Sequence, residues 1–183
     1  PRYGLNAWKE AFSQPGIWDA IWNTFRVALV RLCITFPMGV MIAWTLARTN
    51  VPFSHALEFL FWISFMYPTV ATVFGWMLLL DPDTGLINTL LDKLVGKSPF
   101  DIYSFWGIIW VHVISGIDAH VMLLTPVFRR MDSSMEEASR MSGGGPIITM
   151  LRVTLPLMTP ALIVVLMLSL VRMFESFEVE YLL

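Results

Sequence analysis

The stretch Asp132–Pro156, DSSMEEASRMSGGGPIITMLRVTLP, decides how the chain is organised. Among long apolar runs it is a polar-rich interruption that still carries built local structure. Asp132, Ser133 and Ser134 all suit a helix N-cap, and Ser133…Glu136 and Ser134…Glu137 both have capping-box spacing. The two glutamates lie where the positive end of a helix dipole favours them. Met131, Met135, Ala138 and Met141 recur at helical spacing as a soft apolar stripe. Gly143-Gly144-Gly145 must end that helix. Pro146 can begin a second short helix, IITMLRVTL, which Pro156 is expected to close. On these residues alone, a capped connector and a partner-docking element are equally good readings.

The surroundings of this stretch are membrane. Of 183 residues 56% are apolar and 14% charged, and several apolar windows exceed what a soluble core helix needs. The expected fold class is therefore all-α, a polytopic transmembrane bundle. Spans are expected near Trp22–Ala47, Leu57–Leu80, Phe105–Phe128 and Thr159–Val179, with Pro160 opening the fourth. Residues 1–21 read as an interfacial lead-in, and LINTLLDKLVG as a short amphipathic piece. Eight Trp and four Tyr suit anchoring at the membrane surfaces. Pro1 and the closing SFEVEYLL read as cut ends of a longer chain, so residues 1–183 are expected to be a domain truncated at both ends.

Charge sets the orientation. Arg129–Arg152 holds four Arg, whereas Asp81–Ser104 holds two Lys and four Asp. The positive-inside rule places the first segment in the cytoplasm and the second outside. A net charge of −2 without a basic run excludes a nucleic-acid partner. Cys33 is the only cysteine, which excludes a disulfide framework and a Cys-based metal site within one chain. There is no GxxxxGK[ST] phosphate loop, so any ATP and Mg must be bound by a separate subunit.

Ionisable residues within spans are the remaining functional candidates. In the third span, His112 and His120 project about 80° apart and lie about 12 Å apart along the axis, and Asp118 points about 160° from His120. One helix cannot gather these three around a metal, and no metal site is expected. In the fourth span Arg172 and Glu175 can pair at i,i+3, Ser176 shares their face, and Glu178 neighbours Glu175. These groups either fix helix packing or line a translocation path, with Tyr67-Pro68-Thr69 as a gate-forming or ordinary packing kink. Arg172, Glu175, Ser176, Asp118 and Tyr67 are the candidates for the path.

The 132–156 segment resembles the EAA loop of permease subunits in binding-protein-dependent (type I) ABC importers. Its Glu-Ala-Ala is Glu137, Ala138 and Ser139. Gly143 follows after three residues, and Val153, Leu155 and Pro156 fill the Ile-x-Leu-Pro end after nine more. Ser139 and Val153 depart from the pattern conservatively. LLLDPDTGLIN, PFDIYSFWG and FESFEVEYLL further resemble the ferric-iron-type subgroup. The resemblance implies a multi-pass inner-membrane permease subunit of a bacterial or archaeal cell, which itself catalyses no reaction and works by alternating access. It implies as partners a cytoplasmic ABC ATPase dimer, a second permease half and an extracytoplasmic solute-binding protein, with ferric iron as the expected solute. Glu137 would be the main polar contact with the ATPase, Ala138 and Ser139 the close-packing surface, and Gly143 the turn. Two other classes remain: an ion-coupled secondary transporter relaying through Asp118, His120, Arg172 and Glu175, and a membrane enzyme using His112, Asp118 and His120.

Overall fold

The computed structural model describes residues 12–175 and 178–183. Helix α1 (Ile17–Arg48) is 32 residues long and runs unbroken through Pro37. At 1.5 Å per residue it spans about 48 Å, which exceeds the hydrocarbon core of a bilayer. Helix α5 (Phe105–Arg130) starts on Ser104, whose Oγ accepts from the Gly107 N–H at 3.1 Å. α1 and α5 form the central pair. At Gly39 of α1 an added Cβ would land on the His120 side chain of α5, so the missing side chain is what lets the two helices approach.

The expected second span is two helices. α2 (Ser54–Met66) and α3 (Thr69–Leu80) meet at Tyr67-Pro68 with their axes bent by 98°. A proline pushes its preceding residue out of the helical region. Tyr67 accordingly sits at φ −78, ψ 133, and Pro68 at φ −63, ψ 130, so two consecutive extended residues turn the chain instead of kinking it. Beyond α3, Asp81 closes a turn and α4 (Leu86–Val95) is the amphipathic piece, ended by Gly96 at φ +69. Asn88 of α4 is buried. It donates to the carbonyls of Leu80, Asp81 and Phe100 and accepts from the Phe100 N–H, and so ties this lobe together.

After α5 the chain forms α6 (Ser134–Met141), a glycine turn and α7 (Pro146–Thr149). A π turn over Met150–Thr154 then leads into α8 (Leu155–Glu175) without a break. Pro156 therefore does not close a short helix, and Pro160 lies inside α8 rather than starting it. The π turn explains the continuity. Its Leu155 N–H bonds back to the Met150 carbonyl. The wider turn leaves room for the Pro156 ring, which in a plain α turn would meet the carbonyl of Arg152. α9 (Glu178–Leu182) completes the described chain.

Three apolar clusters hold the bundle. Val40 and Ala43 of α1, Leu124 and Phe128 of α5, and Met158 and Val165 of α8 form the one beside the loop. At the opposite end, Val73, Ile102, Val111 and Val179 join α3, α5 and α9. Val27, Ile109 and Val113 extend the α1–α5 seam. α2 buries none of its residues and shows Phe59, Leu60, Trp62 and Ile63 outward, as a lipid-facing or subunit-facing helix does. Among the described residues three helices are long and apolar enough to cross a membrane, or there are four crossings if the bent α2–α3 pair is one broken span.

Candidate functional site

The loop begins with a cap, though not the expected box. Asp132 Oδ1 accepts from the Ser134 N–H at 3.0 Å, and Oδ2 accepts from the Ser134 hydroxyl at 2.9 Å. Those two bonds hold the Asp132 carboxyl below its ordinary value. The Ser133 side chain caps no backbone N–H and instead donates to Glu137 Oε1 at 2.6 Å. Neither capping box forms, because Ser133 itself is helical (φ −79, ψ −10) and Glu136 is turned inward.

The exit from α6 is a complete Schellman turn. Gly143 sits at φ +84, its N–H bonds the Arg140 carbonyl at 3.0 Å, and the Gly144 N–H bonds the Ser139 carbonyl at 2.9 Å. The Ser139 hydroxyl meets that of Thr149 at 2.9 Å and clasps α6 to the second arm. Glu137 and Ala138 are exposed and Ser139 is half-buried. Met135, Met141, Ile147, Ile148 and Leu151 are exposed beside them, giving a ridge of one acidic and several soft apolar side chains. Met131 leaves the expected stripe and packs into the core. Val153 and Leu155 are half-buried, Leu155 against the same core, and Pro156 is exposed. The signature thus divides: its Glu-Ala-Ser part lies on the ridge, while Val153, Leu155 and Pro156 root the following helix.

Sequence reasoning did not single out Glu136. It is 5% exposed, accepts from the Thr154 hydroxyl, and faces Arg48 Nε across 3.6 Å. Arg48 Nη2 also donates to the Met131 carbonyl at 2.5 Å. The available signal was two adjacent glutamates on a short helix, which lie about 100° apart and cannot both face one side.

A second feature lies at the α2–α3 break. A cavity of about 150 Å³ is lined by Ser64, Phe65, Tyr67, Thr69, Thr72, Ser115, Asp118 and Arg172, among others. Asp118 is 5% exposed and accepts from the Ala119 N–H at 2.6 Å. The Arg172 guanidinium lies 5.7 Å from the Phe65 ring centre. The Ser115 hydroxyl is buried without a partner among the described residues. Tyr67, Asp118 and Arg172 thus come together, while Ser176 and the side chains of Glu175 and Glu178 lie outside the described residues. His120 joins another group: its Nδ1 faces the Gly116 carbonyl at 2.7 Å and its Nε2 the Ser169 hydroxyl at 2.8 Å. His112 serves a third. Arg31 Nη1 donates to His112 Nδ1 at 2.8 Å, which leaves the proton on Nε2 to reach Glu180 at 2.9 Å. His112, Asp118 and His120 therefore have three separate sets of hydrogen-bond partners.

No protein-family profile matches the sequence. The permease protein SmoG of the sulfoquinovosyl glycerol transport system of Agrobacterium fabrum is 23% identical, over 98% of this chain and 59% of its own length. The maltose/maltodextrin transport system permease protein MalG of Escherichia coli K12 is 28% identical, over 89% of this chain and 51% of its own. The chain thus spans about half to three fifths of these relatives. Among solved structures, a bacterial ABC transporter involved in importing the acidic polysaccharide alginate superposes with a TM-score of 0.81 at 18% identity, over 96% of this chain and 63% of that one. The chain therefore has the helical membrane fold of ABC-transporter permeases and is similar, over nearly all its length, to permease proteins of bacterial transport systems.

Proposed function

We propose that this chain is the coupling and pore-forming part of a permease subunit in an ATP-driven, binding-protein-dependent importer of a carbohydrate. The observation that carries the reading is the ridge on α6. Glu137 and Ala138 stand exposed at the signature spacing, between a Schellman turn and two arms rooted in membrane helices. A cytoplasmic ATPase dimer, holding ATP and Mg, would receive this ridge in a cleft, with Glu137 as the polar anchor. A second permease half, an extracytoplasmic solute-binding protein and the bilayer complete the assembly. An alginate ABC transporter has been solved in complex with an alginate pentasaccharide-bound periplasmic protein, which supports the solute-binding protein by analogy.

For the solute we favour a carbohydrate over ferric iron. The relatives described above are named for glycoside and oligosaccharide transport. The cavity at the helix break offers hydroxyls, one carboxylate, a guanidinium and aromatic rings. That mixture suits a polyol ring, whereas a hard cation wants several oxygen anions and no neighbouring guanidinium. Tyr67, Asp118 and Arg172 would then line the path, with Glu175 and Ser176 following Arg172 three and four residues on. The ion-relay reading loses its geometry, since Asp118 and His120 have different partners.

The test is uptake into vesicles carrying the complete importer, with labelled oligosaccharide and labelled ferric iron compared. ATP-dependent oligosaccharide uptake that Glu137→Lys lowers by about tenfold or more is expected, in the usual range for a broken coupling. Uptake driven by an ion gradient without ATP would overturn the importer reading. ATP-driven uptake of iron alone would overturn the carbohydrate.

A further inference from the structure

We propose that Glu136 is a positioning residue that locks the α6 docking helix to α1 and α8, so that these two spans follow the helix as one rigid lever. The inference rests on reading α6 as the surface that meets the ATPase. It concerns a residue on the opposite side of α6 from that surface.

The argument begins with what else holds α6. The helix is two turns long and packs mainly against α7 and the π turn. It leaves through Gly143-Gly144-Gly145, and it enters through Met131-Asp132-Ser133. Neither connector, by itself, would stop an eight-residue helix from pivoting under load. The Ser139–Thr149 clasp ties it to α7, which belongs to the loop itself. Glu136 is the side chain that reaches the membrane spans. One carboxylate oxygen accepts from Thr154, the last residue of the π turn at the root of α8. The other faces Arg48, the last residue of α1. Arg48 in turn grips the Met131 carbonyl at the C-terminal end of α5, where a cation suits the helix dipole. The ends of α1 and α8 thus meet at the Glu136 carboxylate, and the end of α5 joins them through Arg48.

Stability alone does not call for this arrangement. The side chains of Arg48 and Glu136 are 12% and 7% exposed. Burying two charges gains little over apolar residues of the same size, and in some proteins such pairs serve to fix geometry instead. The pair holds by charge across 3.6 Å, with Arg48 Nε making no hydrogen bond of its own, whereas Met or Leu here would supply no directed attraction between α6 and α1. The π turn adds to the case, because such turns gather where a helix must aim a side chain. Here it delivers Thr154 to the carboxylate.

The test uses the complete importer, assembled from the full-length chain and its partner subunits in lipid vesicles. Glu136→Gln, Thr154→Val and Arg48→Lys are compared for solute moved per ATP hydrolysed. Spin labels at the exposed positions Arg140 on α6 and Met41 on α1 report whether the lever is rigid, in a Cys33→Ser background. Expected are an Arg140–Met41 distance that ATP leaves unchanged in the parent, an ATP-dependent distance in Glu136→Gln, and a ratio lowered by about tenfold. If Glu136→Gln fails to assemble, Thr154→Val and Arg48→Lys decide by the same two readouts. A parent distance that changes with ATP overturns the proposal. So does a loss confined to the amount of assembled complex, with ratio and distance as in the parent. Glu137→Lys is run alongside. Normal uptake there would sink the docking reading itself, whereas uncoupling by Glu137→Lys but not by Glu136→Gln would sink only the lever.

Discussion

The three loop glycines should respond to alanine in a fixed order. Gly143 has φ +84 and nothing within 4 Å of an added Cβ, so Gly143→Ala meets only the left-handed backbone penalty, about 1–2 kcal/mol. At Gly144 the backbone is ordinary but the space is not. A Cβ would stand 2.6 Å from Ser139 Oγ and 2.8 Å from the Ser139 carbonyl oxygen. That oxygen accepts the Gly144 N–H, so the turn must open to admit the methyl. Strain of about 1–3 kcal/mol adds to a lost hydrogen bond of about 1 kcal/mol, which makes Gly144→Ala the worst of the three. Gly145, at φ −70 with open space, should gain about 0.4–1 kcal/mol through its less flexible unfolded chain, offset by the poorer N-cap that Ala makes for α7, so the net change should be small. Native-state hydrogen exchange over residues 134–149 reads the series directly. Protection should fall about tenfold for Gly143→Ala and further for Gly144→Ala, and should hold for Gly145→Ala, at a factor of ten per 1.4 kcal/mol. Equal losses at all three, or the largest at Gly145, would refute the Schellman turn and leave a featureless hinge.

Three further outcomes follow from the packing. Gly39→Val should force α1 off His120 and destabilise the bundle by about 1–3 kcal/mol, whereas Gly116→Ala, whose Cβ would sit 3.7 Å from Thr35, should be tolerated; thermal unfolding in detergent separates them. Asn88→Ala should strand the carbonyls of Leu80, Asp81 and Phe100, cost about 1–3 kcal/mol, and speed hydrogen exchange across residues 81–104. The Asp81 carboxyl is held below its ordinary 3.8, first by the Thr84 N–H, then by the Thr84 hydroxyl, and also by the Tyr103 hydroxyl and the Asp83 N–H. With the folded value below the unfolded one, its contribution is present at neutral pH and disappears as pH falls through the folded value. Exchange in this turn should accelerate below that point, and Asp81→Asn should remove the pH step.

Much of the loop was legible because helix ends are written locally. The S/D-rich start and the Gly143 stop each depend on residues within a turn or two, whereas the helix end expected at Pro156 did not form. The capping box failed as an expectation because it assumed that Glu136 had nothing better to reach. Arg48, in a different helix, gave it a partner. The second span differs in shape: Pro68 signalled a kink, and the structure makes it a 98° break, with α3 packed against Val111 and Val179.

From sequence alone came the class of the protein: apolar length sets the spans, arginine bias sets the proposed orientation, and the Glu137-to-Pro156 spacing marks the loop. Tertiary structure decided which polar groups act together. Tyr67, Asp118 and Arg172 share a cavity, His120 and His112 do not join it, and Glu136 faces inward while Glu137 faces out. The physical reason is range. Caps, turns and apolar periodicity are satisfied within a few residues, whereas a buried charge takes its partner from whichever helix packing brings near.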